Sequence, residues 1–134
     1  AERGDLLKTL LAEQNQDGGW GWLRSQESDA MATGQVLYAL AHSAGATTTA
    51  ARQRAVQFLV NGQQSDGRWE VKGTKKNKQD RIEETATYWG TCWAVSGVLE
   101  SARQEAVVSE TASVTEAREK RPAQPTRGDG EGQR

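Results

Sequence analysis

The residues best suited to chemistry in this chain are carboxylates beside aromatic rings. Glu83 and Glu84 precede Thr85, Tyr88 and Trp89, and Asp29 stands four positions before Thr33. Carboxyl groups next to indole and phenol rings would suit proton delivery or cation stabilisation in a dry cavity. The same acids also favour the positive end of a helix dipole, and the sequence predicts that helix-start role for Glu83 and Glu84 and N-capping for Asp29. Trp20, Trp22 and Trp69 raise a second option, a pocket for a hydrophobic or glycan ligand, against a first of structural packing. Cys92 is the single cysteine and His42 the single histidine. An internal disulfide and a cysteine-built zinc cluster are therefore excluded, and no metal site or cofactor is expected. Cys92 reads as a small buried residue between Trp89 and Trp93, and His42 as a group favouring a helix C-terminus. No Ser-His-Asp arrangement and no phosphate-cradling glycine loop after a strand is present.

What must position these residues is a repeat. QNQDGGW at 14–20 returns as QQSDGRW at 63–69, so Gln-x-x-Asp-Gly-x-Trp occurs twice. Repetition at such a period signals an array in which neighbouring units complete one another's core. Asp-Gly suits a tight reversal, because Gly accepts positive φ and Asp bonds its own nearby backbone. The Gln amide can satisfy backbone groups left open at a helix end, and the Trp is expected to be an interior brace covering that amide. The block is a connector between helices.

Apolar spacing then predicts four helices. Leu6, Leu7, Leu10 and Leu11 define one over about 5–15, ended by Asp17-Gly18. Met31, Val36, Leu37, Leu40 and Ala41 define a second, with Ser28-Asp29 as N-cap and Gly45 at the left-handed cap position. Thr47, Thr48 or Thr49 caps a third, carrying Ala51, Ala55, Val56, Leu59 and Val60. A polar stretch rich in lysine follows between Trp69 and Asp80, read as an extended loop or short hairpin. The fourth helix is expected from about Glu84 to Ser101, with Gly90, Ala94 and Gly97 on a narrow face and Trp89 and Trp93 on a bulky one.

Large apolar residues thin out after Arg103, Pro122 and Pro125 appear, and the end TRGDGEGQR is polar. The expected division is therefore a helical region over 1–103 and a disordered polar tail over 104–134. Formal charge is −1, so no polyanion partner follows from the balance, and Lys72, Lys75, Lys76, Lys78 and Arg81 lack the interleaved aromatics of a nucleic-acid groove. No apolar run reaches membrane-spanning length. Composition leaves the compartment open.

RAVQFLVNGQQSDGRW, residues 54–69, resembles the QW repeat of squalene-hopene and oxidosqualene cyclases, with Arg54, Ala55, Phe58, Leu59, Gln63, Gly67 and Trp69 matching throughout. The first copy keeps Leu10, Gln14, Gly18 and Trp20, with Asp5 in place of the basic residue. SDAMATGQVLYAL is similar to a version in bacterial cyclase-like proteins. Protein prenyltransferase β subunits are similar in architecture. The resemblance covers roughly residues 5–103 and implies an all-α fold, a partial α/α toroid of stacked helical hairpins. A closed ring needs many more helices than four, so the rest of a parent toroid is the implied partner, with this chain as its C-terminal part. Asp29, Thr33, Glu84, Tyr88, Trp89 and Trp93 then become candidates to line the cavity.

The same resemblance tests for catalysis. The family's acid lies in Asp-x-Asp-Asp-Thr-Ala, and the nearest equivalent is Asp29-Ala30-Met31-Ala32-Thr33-Gly34. Met31 stands where the proton-donating Asp belongs. The prenyltransferase zinc set, an Asp and a Cys two apart with a distant His, is also missing, because Gly90 precedes Cys92 at that distance. The expectation is a binding or scaffolding segment with no catalytic residue of its own. The alternative is a fragment of a terpenoid cyclase whose acid lies elsewhere in the parent.

Overall fold

A computed structural model describes residues 2–43 and 45–121. The fold is all-α, with helices α1 (Glu2–Ala12), α2 (Ala30–Ala41), α3 (Ala46–Gly62) and α4 (Glu84–Glu119). In the polar stretch after Trp69 a single antiparallel bridge joins Lys72 to Ile82.

The core gathers where α2 meets its neighbours. Leu37 and Leu40 of α2 and Ala55 and Leu59 of α3 are fully buried, and so is Ala94 of α4. Trp20, Trp69 and Val71 close the ends of this cluster, and Leu7 and Leu11 bring α1 against it. α2 and α4 run parallel, because Met31 lies at the level of Gly90, Gly34 at Trp93–Ala94, and Leu37 at Gly97. A Cβ on Gly34 would sit 2.4 Å from the backbone carbon of Trp93, and one on Gly97 would sit 2.6 Å from the carbonyl oxygen of Gly34. Glycine on both helices is what lets the two backbones approach. The narrow face expected on α4 is thus the face it buries, with Gly90, Ala94, Gly97 and Ser101 all inside.

Asp29 caps α2 as expected: its backbone is extended and its carboxylate accepts from the Ala32 amide at 2.8 Å. Glu83 does the same for α4, accepting from the Ala86 amide. Three boundaries differ from the sequence expectation. α2 ends at Ala41 with His42 as C-cap, and Gly45, at φ +133°, begins α3 instead of ending α2. The threonines lie inside the first turn of α3, where Thr48 donates its hydroxyl back to the Gly45 carbonyl at 2.6 Å, so α3 has no side-chain N-cap bond. α1 stops at Ala12, two residues before Gln14.

The largest difference lies after Arg103. Residues 104–119, expected in a disordered tail, continue α4 as helix. The stretch has few large apolar residues, but it also has no Gly or Pro to interrupt a helix already nucleated by its packed first half. Local bonds support it: Thr111 donates to the Val107 carbonyl, Thr115 to the Thr111 carbonyl, and Lys120 pairs with Glu116. The expectation for residues 122–134 lies outside the described residues.

Candidate functional site

The two Gln-Asp-Gly-Trp blocks adopt one geometry. Gly18 and Gly67 have φ of +92° and +88°, the left-handed conformation that the Asp-Gly reversal requires. Asp17 accepts from the Gly19 amide and Asp66 from the Arg68 amide, at 3.0 and 3.2 Å. Gln14 donates to the Gly18 carbonyl at 2.8 Å, and Gln63 to the Gly67 carbonyl at 3.0 Å.

Both indoles are buried, Trp20 to 3% exposure and Trp69 to 6%. Each donates its N–H to a carbonyl in the preceding helix, Trp20 to Leu10 at 2.8 Å and Trp69 to Leu59 at 2.7 Å. Each indole therefore bonds a carbonyl in the last turns of that helix, four residues before the Gln of its block, where the intrahelical ladder runs out of donors. The Trp backbone amides are also matched, donating to the hydroxyls of Thr33 (2.9 Å) and Thr91 (3.1 Å). Those threonines were missed as connector partners in the sequence. Thr33 follows its Trp by 13 positions and Thr91 by 22, because the lysine-rich loop lengthens the second unit and hides the correspondence.

The first block also joins the second unit. Gln14 donates to the Ala51 carbonyl of α3 at 2.9 Å and accepts from the Arg54 guanidinium. Phe58, on the same helix, packs partly buried against the core.

Between the two blocks opens a cavity of about 440 Å³, walled by Trp22, Met31, Phe58, Trp69, Val71 and Ile82. Asp29 and Glu27 stand at its polar edge, with Lys72 reaching Glu27 at 2.9 Å. Burial raises the Asp29 carboxyl above its ordinary value, partly offset by backbone N–H donors from Ala32, Met31 and Trp22. Hydrogen bonding and charge from Lys72 hold Glu27 below the usual range. Glu83 is likewise lowered, by Lys78 first and then by the Ala86 amide.

The remaining candidates scatter. Thr33 is fully buried beneath Trp20. Glu84 and Tyr88 are exposed, and Trp89 edges a separate hollow of about 250 Å³ with Lys75 and Lys78. Trp93 is half-buried, edge-on to Tyr38 with ring centroids 6.2 Å apart. Cys92, expected to be buried, is exposed, because positions 88, 92, 95 and 99 of α4 face away from α2. His42 caps the α2 C-terminus and lies 3.6 Å from Glu100. No helix among the described residues is long and apolar enough to cross a membrane.

No family model matches the chain, and no solved structure matches it. Over 67 residues, half of its length, the chain is 40% identical to drimenyl diphosphate synthase from Streptomyces showdoensis. That stretch is related to a terpenoid cyclase. The alignment spans only 12% of that relative's own length.

Proposed function

We propose that this chain is a wall segment of a terpenoid-cyclase-like repeat protein, a part of an α/α toroid that binds an apolar ligand and holds its neighbours in place without a proton donor of its own. The observation that carries this reading is the placement of Asp29. Its carboxylate is engaged as the α2 N-cap, and the residue two positions on, where the family's acid would stand, is Met31, an apolar wall of the cavity. Trp22, Phe58 and Trp69 with Val71 and Ile82 favour an apolar ligand over a glycan. The matched Gln and Trp bonds support reading the two blocks as QW connectors, with Gln14, Gly18 and Trp20 in one and Gln63, Gly67 and Trp69 in the other.

Titration of the chain with squalene, followed by tryptophan fluorescence and product analysis, tests it. Saturable quenching with unchanged squalene is expected, and Trp22→Ala should weaken binding roughly tenfold. Absence of saturable quenching removes the ligand role; a cyclised product from this chain overturns the lack of a catalytic centre. The second reading, a C-terminal fragment of a cyclase whose acid lies elsewhere in its parent, is favoured by the 40% identity to a much longer synthase. Turnover by the parent that is lost on replacing an Asp outside this segment would support it.

A further inference from the structure

The cavity between the two blocks has walls and an edge of different character. Trp22, Phe58 and Trp69 give it three aromatic rings, and its charged residues are Glu27, Asp29, Glu70 and Lys72. Three carboxylates against one ammonium leave that edge acidic. The one cation is already matched, because the Lys72 ammonium lies 2.9 Å from Glu27 and both side chains are exposed at the mouth. Glu70 meets Arg68 at 3.0 Å, but Arg68 is shared with Asp66 at 3.5 Å and is not part of the cavity lining.

Asp29 lies deeper than the other two acids, half-buried, and has no cation beside it. Among the described residues its carboxylate is bound by backbone N–H groups only, from Ala32, Met31 and Trp22. Capping uses part of its acceptor capacity without neutralising it, since a carboxylate offers about four lone-pair sites. The positive end of the α2 dipole is equivalent to roughly half a charge, so a negative balance remains. A partly desolvated anion at the rim of an apolar hollow fixes the sign of the potential that an occupant meets.

We propose that the ligand of this cavity is an apolar molecule with a cationic head, an alkyl ammonium whose chain lies against Phe58, Val71 and Ile82 and whose head lies between the Trp22 indole and the Asp29 carboxylate. The inference deepens the apolar-ligand reading above and rests on it. The cavity, about 440 Å³, is the binding site, and its acidic edge selects the head. Two features act together there. Trp22 sends its backbone N–H to Asp29, so its ring and that carboxylate share one rim. An aromatic face attracts a cation through its quadrupole, more strongly as water is excluded, and the carboxylate adds a full opposite charge. A neutral hydrocarbon gains neither interaction, and an anionic head is repelled by all three acids.

Decyltrimethylammonium, decanol and decyl sulfate share one chain and differ in the charge of the head. Each is titrated into the full chain below its micelle concentration, with binding followed by calorimetry and tryptophan fluorescence. The ammonium should bind at least tenfold more tightly than the alcohol, and the sulfate more weakly than either. Asp29→Asn keeps a capping acceptor and should bring the ammonium to within about threefold of the alcohol. Lys72→Met frees Glu27 from its counter-ion and should raise ammonium affinity roughly threefold with the alcohol nearly unchanged, a gain that loss of folding would not produce. Saturable binding of the alcohol with no preference for the ammonium overturns the cationic head and leaves the apolar cavity standing. A preference that survives Asp29→Asn, or an ammonium affinity that falls in Lys72→Met, overturns the assignment of the head to this edge. If none of the three binds, the apolar-ligand reading fails and this inference with it.

Discussion

Gln14 accepts a hydrogen bond from Arg54 across 40 residues of chain. With its amide also donating to Gly18 and Ala51, this one side chain ties the first connector to the third helix. Gln63 occupies the equivalent place in the second block but is exposed and donates to Gly67 within its own loop. Gln14→Ala should therefore cost about 2 kcal/mol and Gln63→Ala about 0.5 kcal/mol, since a part-buried group with several partners loses more than a solvated one. Urea denaturation of the two variants compares them directly; equal losses would count against the cross-unit role of Gln14.

Glycine at the α2–α4 crossing makes a second contrast. Gly34→Ala places a methyl against the Trp93 backbone, and about 2 kcal/mol or more of stability should be lost as the helices separate. Gly4, in α1, has open space where its Cβ would stand. Gly4→Ala should be neutral or stabilising by up to about 1 kcal/mol, because it removes only backbone freedom from the unfolded chain. Thermal melts of both decide whether close approach or helix propensity governs.

Acid titration should separate two kinds of carboxylate. Burial raises Asp29, so the folded state holds its proton to higher pH than the unfolded chain does. Its effect on folding is favourable below the ordinary Asp value, about 4, and that advantage disappears as pH rises through the raised value. Asp29→Asn keeps a capping acceptor and removes the charge, so its melting temperature should exceed the parent's at pH 7 and approach it near pH 3. Glu83 is lowered by Lys78, so its contribution is present above the ordinary Glu value and is lost as pH falls through the lowered one. Glu83→Gln should flatten the loss of stability on the acid side, measured by melts between pH 3 and 7 (roughly the span in which carboxylates titrate).

The far half of α4 should be separable from the core. Ala112 is exposed in a stretch where every described residue from Glu105 onward is exposed. Ala112→Pro should lower helical circular dichroism by breaking α4 locally, while the tryptophan-monitored unfolding free energy stays within about 0.5 kcal/mol of the parent's and the midpoint hardly moves. A large shift in that midpoint would show that the far half contributes to the packed region.

Much of the helical framework was legible because it rests on local chemistry. Apolar spacing marked four helices, Asp29 announced a cap, and the Gly90–Ala94–Gly97 spacing marked the face of α4 that packs. Errors arose where a residue type has two uses. Gly45 fits a helix end or a helix start, and its φ of +133° is used for the latter. Cys92 sits between two Trp residues in sequence, but on a helix its neighbours are Tyr88 and Val95, which face outward with it. Scarcity of large apolar residues after Arg103 signalled disorder, although helix persistence depends as much on the absence of Gly and Pro. The cavity was least legible, since Trp22, Phe58, Val71 and Ile82 come from separate segments and meet only when both blocks are in place.

Fifteen residues of α4, from Glu105 to Glu119, stand clear of the helical cluster. At about 1.5 Å of rise per residue they form a rod of roughly 20 Å. Whatever is joined at Arg121 is carried on a stiff arm, its bearing set by the Gly34–Gly97 crossing. A small rotation at that crossing sweeps the tip through a larger arc, so a fluorophore on Glu119 would magnify shifts between α2 and α4.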